Sequence, residues 1–110
     1  MTKSNPPDSE FWTKKGIALG NQGEYGEAIK CFDEALKINP NYADAWYAKG
    51  IASYAQKNYE AAIKFFDRAI ELNPHDLMAY DRKNRSLKAL GRNEEAEAVL
   101  AKAKELGYTG

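Results

Sequence analysis

The chain has a single cysteine, Cys31, and a single histidine, His75. One thiol cannot close an internal disulfide, which suits a reducing compartment and leads to the expectation of a cytoplasmic protein. One histidine and one remote cysteine supply no ligand set, so neither a metal nor a cofactor is expected. A Ser-His-Asp or Cys-His nucleophile would have to recruit His75, which stands in the linker Pro74-His75-Asp76 rather than in a cleft, and no catalytic residue is assigned. There is no glycine-rich phosphate loop. The leader MTKSNPPD lacks the apolar run of a signal peptide, and no stretch reaches the roughly 18 apolar residues of a membrane span. Neither sign of charge is in excess, since 16 Lys and Arg meet 16 Asp and Glu. That balance argues against nucleic acid, although the segment Arg82-Lys83-Asn84-Arg85-Ser86-Leu87-Lys88 is locally basic. A non-enzymatic protein remains.

What the chain does have is a period. At a shift of 34 residues Trp12 meets Trp46 and Tyr80, Gly16 meets Gly50, Tyr25 meets Tyr59 and Pro40 meets Pro74. Ala28, Ala62 and Ala96 superpose, as do Ala35, Ala69 and Ala103, and Phe32, Phe66 and Leu100. About 15 of the 34 positions agree between the first two copies, the mark of a repeat array. The copies run 9–42, 43–76 and 77–110, a single domain after a flexible leader at 1–8.

Punctuation divides each copy into two helices, giving an all-α fold. Gly23 and Gly91 interrupt the pattern after the first helix, and Asn58 is the expected left-handed residue in the second copy. The second helices are expected at about 25–38, 59–72 and 93–106. Asn39-Pro40 and Asn73-Pro74 stop them, because proline disfavours helix in the residue before it. Asp76 is a candidate N-cap for the third copy, and Asp8 or Ser9 for the first. A glycine inside a helix costs about 1 kcal/mol against alanine, so Gly16 and Gly50 at one register point to close backbone packing.

The series Trp46, Gly50, Tyr59, Ala62, Phe66, Ala69, Pro74 resembles a tetratricopeptide repeat. The likeness covers nearly the whole chain and weakens in the third copy, where Asn84 replaces the Gly, Asn93 the Tyr and Leu100 the Phe. It implies a right-handed superhelix of antiparallel helix pairs and a non-enzymatic protein-binding role. Ile29 and Ile63 are matched in the last copy by Glu97, and Leu36 and Ile70 by Lys104. Charges on the face that would receive a further repeat suit a terminal unit, and the chain is expected to be complete. At the other end Phe11 stands where Ala45 and Ala79 stand later.

On a helix of about 3.6 residues per turn Trp46, Gly50 and Ser53 share one face, while Tyr47, Ile51 and Tyr54 share another. The first face repeats between copies and is assigned to the core. The resemblance places the second on the concave surface. It reads Thr13, Ile17 and Gly20 in copy one and Asp81, Arg85 and Lys88 in copy three. Residues that vary on a shared face are candidates for binding. The groove is therefore assigned to Thr13, Ile17, Tyr47, Ile51, Tyr54, Met78, Asp81, Arg82, Arg85 and Lys88, with Glu10 and Asp44 as acidic points. Its expected partner is a protein segment, apolar with an acidic flank. Some members of the family grip a C-terminal carboxylate with Lys, Asn and Arg side chains. The matching positions here, Thr13, Ile17, Ala48, Met78 and Arg82, retain only one suitable residue, so that clamp is absent. Alternatives are a self-associating scaffold that forms homo-oligomers and, more weakly supported, an RNA-binding helical repeat.

Overall fold

The computed structural model describes residues 6–110 and consists of six α-helices with no strand among them. They are α1 (Ser9–Asn21), α2 (Tyr25–Ile38), α3 (Ala43–Ala55), α4 (Tyr59–Leu72), α5 (Leu77–Ala89) and α6 (Asn93–Glu105). The expected leader lies mostly outside the described residues. Asp8 caps α1, its carboxylate accepting from the Phe11 amide at 2.8 Å, and Asp76 caps α5 by accepting from the Ala79 amide at 3.3 Å. Ser9, the other candidate, instead donates its hydroxyl to the Ala35 carbonyl at 2.8 Å and ties α1 to α2. Asn39 and Asn73 end α2 and α4 in extended or near-extended backbone ahead of their prolines.

One turn residue differs from expectation. In the second copy the positive φ, 63°, belongs to Lys57 and not to Asn58. Lys57 lies in register with Gly23 and Gly91, at φ 83° and 76°, so the repeat geometry outweighs the side-chain preference. Asn58 is the residue that leads into α4.

The two helical glycines mark contact points between paired helices. A Cβ on Gly50 would lie 2.5 Å from the Phe66 ring, and one on Gly16 would lie 2.5 Å from the Phe32 ring and 3.0 Å from the Ala28 carbonyl oxygen. Phe32 and Phe66 are almost wholly buried, which stabilises each pair by about 2–3 kcal/mol per ring. The third copy reaches the same closeness differently. Leu100 is shorter than Phe, and the Asn84 side chain fills the space, its amide donating to the Ala96 carbonyl at 2.7 Å. Ala96 occupies the register of Ala28.

Successive pairs join through one recurring ion pair. Lys49 on α3 meets Asp33 on α2 at 2.6 Å, and Lys83 on α5 meets Asp67 on α4 at 2.6 Å. The linkers are tied down in register as well, since Trp46 Nε1–H donates to the Pro40 carbonyl at 2.7 Å and the Tyr80 hydroxyl donates to the Pro74 carbonyl at 3.1 Å. Trp46 is accordingly half-buried rather than enclosed, its ring covered by Lys49, Phe65 and Arg68.

The result is an elongated stack of 57 × 26 × 21 Å. Within it α1 approaches α3 and α3 approaches α5, with Cα atoms inside 8 Å, whereas α2, α4 and α6 do not approach one another. The stack therefore bends toward its first helices, and α1, α3 and α5 line the concave side.

Candidate functional site

The concave side carries a cavity of about 700 Å³ between α1 and α3. Thr13, Ile17 and Gly20 form one wall and Tyr47, Ala48, Ile51 and Ala52 the other. Gly16 lets the Phe32 ring show at the floor, and Tyr25 and Tyr42 close the ends. The depth follows from residue size. Gly20 is the counterpart of Tyr54 and Thr13 that of Tyr47, so the first copy omits the two rings that the second copy carries. Ile17 is 45% exposed, an apolar side chain held open to solvent.

The rim is polar at the N-terminal ends of the two helices. Glu10 and Lys14 pair at 2.8 Å, and this hydrogen bond, followed by the carboxylate charge, raises the Lys14 pKa. Asp44 stands opposite on α3. Tyr42, beside them, has its phenol pKa pushed up, first by burial and then by Asp44 and Glu10.

Of the assigned groove residues, Thr13, Ile17, Tyr47 and Ile51 come together in this cavity. Thr13 is buried and donates its hydroxyl to the Ser9 carbonyl at 2.7 Å, so it shapes the wall more than it offers a free group. Tyr47 rests on the Phe66 ring at 5.8 Å. Tyr54 stands outside the lining, edge-on to Tyr59 at 5.2 Å. Met78 is 50% exposed on α5. Asp81 is buried, accepts from the Tyr108 hydroxyl at 2.6 Å and pairs with Arg85 at 3.0 Å. That hydrogen bond is the main cause of the raised Tyr108 pKa. Arg82 is half-buried and its Nε–H lies buried without a hydrogen-bond partner, while Lys88 is exposed. The site thus divides into an apolar cavity over the first two copies and a cationic strip on α5.

Sequence reading passed over Tyr25, Tyr42, Phe32 and Lys14 as lining residues. Tyr42 and Tyr25 sit at helix entrances, where periodicity along one helix says nothing about a neighbouring groove. Phe32 is core in both copies and reaches the cavity only because Gly16 has no side chain. Among the described residues no cluster of His, Cys, Asp or Glu side chains could hold a metal ion, and no helix is long and apolar enough to cross a membrane.

Comparison with known proteins agrees with this architecture. A family model described as tetratricopeptide repeat matches residues 13–76. No curated protein matches the chain. Among solved structures, the first repeat domain of Spaghetti (RPAP3), bound to HSP90 peptide SRMEEVD, is 26% identical with a TM-score of 0.84, over 90% of this chain and 80% of that one. The second such domain, with the same peptide, is 22% identical at a TM-score of 0.84, over 89% of this chain and 91% of that one, a likeness of fold alone. MamA is 26% identical at a TM-score of 0.88, over 91% of this chain but only 55% of its own length.

Proposed function

This chain belongs to the tetratricopeptide repeat family, and from that premise we propose that it is a non-enzymatic module that binds a segment of a partner protein along its concave face. The observation that carries the reading is the cavity of about 700 Å³ walled by Ile17, Tyr47 and Ile51 and opened by Gly20. A space of that size takes several neighbouring apolar side chains of a bound segment rather than one. An acidic flank of the same segment would meet Arg82, Arg85 and Lys88. The solved domain that is 26% identical and holds an HSP90 peptide lends weight to a peptide ligand. Its ligand is not transferred, because Thr13, Ile17, Ala48 and Met78 cannot grip a carboxylate as charged residues would. The repeat region 9–110 acts as one unit in this reading, within the cytoplasm.

The test is a peptide-display selection against the full chain and two variants, Gly20→Tyr and Arg85→Glu. Gly20 is helical, and a Cβ there meets only the Ala28 methyl at 3.9 Å, so a ring can enter the cavity without disturbing the fold. Enrichment of an apolar-acidic motif should disappear with Gly20→Tyr and lose its acidic part with Arg85→Glu, at unchanged melting temperature. Enrichment that survives Gly20→Tyr would overturn the assignment. A self-associating scaffold is the second reading, favoured by the exposed Phe11 and Ile38 at 48% and 52%. Light scattering that reports a monomer across a wide concentration range would remove it.

A further inference from the structure

A second cleft, of about 480 Å³, lies between α1 and α2 among Trp12, Lys15, Leu19 and Cys31. The chain itself shows what that kind of site holds. One copy later Phe65 takes the register of Cys31. Its ring sits 6.0 Å from Trp46, and the Lys49 ammonium lies 4.3 Å from it and also pairs with Asp33 at 2.6 Å. In the first copy the lysine still lies over the tryptophan, Lys15 to Trp12 at 5.2 Å, but the phenyl ring and the carboxylate are both missing. Leu19, larger than its counterpart Ser53, takes up part of the space, and the cleft remains beside it.

The charges around the cleft sharpen the reading. Glu27 pairs with Lys30 at 3.3 Å, Glu34 with Lys37 at 2.9 Å and Asp33 with Lys49 at 2.6 Å. Lys15 alone of the charged lining residues makes no ion pair among the described residues, whereas its counterparts Lys49 and Lys83 each hold an aspartate. We infer that this cleft docks a partner-protein peptide that carries an aromatic residue beside an acidic one, the ring entering over Trp12 and Cys31 and the carboxylate pairing with Lys15. A ring against indole and ammonium gains stacking and cation–π attraction, and the carboxylate supplies the charge that the two later lysines find inside the chain. The cleft opens between α1 and α2 and shares no lining residue with the concave cavity, so this inference stands apart from the concave-face reading.

The probe is a short peptide with Phe next to Asp, titrated into the full 15N-labelled chain while the Trp12 indole N–H resonance is followed. Saturable movement of that resonance is expected, with affinity about tenfold weaker for the Phe→Ala and Asp→Asn peptides. The paired change Leu19→Ser with Cys31→Phe transplants the second copy's own packing into the first and should cut affinity about tenfold or more. Lys15→Glu, at an exposed position that leaves the fold untouched, should weaken the Asp peptide more than its Asn counterpart. Gly20→Tyr should change nothing. The proposal is overturned if Trp12 does not respond at millimolar peptide, if both site variants bind as well as the natural chain, or if Gly20→Tyr abolishes the response.

Discussion

Lys57 is the one residue with a side chain that the described structure holds at positive φ. The left-handed region brings Cβ toward the following carbonyl oxygen and costs about 1–2 kcal/mol for an L residue, a cost that glycine escapes. Glycine gives back part of the difference through the extra freedom of its unfolded chain. Lys57→Gly should therefore stabilise the protein by roughly 0.5–1 kcal/mol and raise Tm by a few degrees. A melt that shows a lower Tm would mean that the Lys57 side chain contributes more than the strain it causes. Asn58 was the natural candidate from its own chemistry, since Asn visits this region more readily than Lys. The alignment of residue 57 with Gly23 and Gly91 held the better signal, because the repeat geometry dictates where the turn must reverse.

At the scale of the helix pair, packing partners change together. Gly16 with Phe32 and Gly50 with Phe66 are one solution, and Asn84 with Leu100 is another. Asn84 is buried at 6% exposure, and its amide bond to Ala96 replaces ring contact by a polar contact. Asn84→Ala should cost about 1 kcal/mol, the net worth of such a bond. Asn84→Gly alone leaves a void, and Leu100→Phe alone drives a ring into the amide. Together they rebuild the pair of the first two copies, so the double variant should be more stable than the sum of the two single losses by at least about 0.5 kcal/mol. Additive losses in urea melts would show that the two sites do not compensate. The helices and their pairing were legible because proline, glycine and period 34 all spoke for the same boundaries. The swap itself appeared in the sequence as two unrelated departures, and only the distance between α5 and α6 joins them. The groove was legible in part for the same reason. Ile17, Tyr47 and Ile51 share a face that follows from helical spacing, whereas Tyr25, Tyr42 and Phe32 enter the cavity through contacts between elements. Asp81 shares that face too, yet its carboxylate is taken up by Arg85 Nε and by the Tyr108 hydroxyl, a residue far removed in sequence, while the rest of the Arg85 side chain stays exposed.

For the whole stack the question is what the two end faces would do against one another. The internal junctions use Ala45 and Ala79, both fully buried, with Lys49 and Lys83 reaching Asp33 and Asp67. On the facing helices they use Ile29 and Leu36, then Ile63 and Ile70. The outer face of α1 presents Phe11 and Lys14 in the registers of Ala45 and Ala48, and a ring that size holds a second helix away. The outer face of α6 presents Glu97 and Lys104, both exposed, in the registers of the apolar residues, and Ala101 in the register of Asp33 and Asp67. Neither end can repeat the internal junction: one is too bulky and the other is charged where it should be apolar. Head-to-tail stacking is a heterologous contact that generates an open filament once both faces fit. Five changes should restore the fit: Phe11→Ala and Lys14→Ala on α1, with Glu97→Ile, Ala101→Asp and Lys104→Ile on α6. The new aspartate would then find Lys15 of the next molecule. Mass measured by light scattering should climb with concentration for the fivefold variant and fall back when Ala101→Asp is reverted or Lys15→Glu is added. A fivefold variant that stays monomeric while keeping its helical content would mean that bulk and charge at these positions are not what holds the two faces apart.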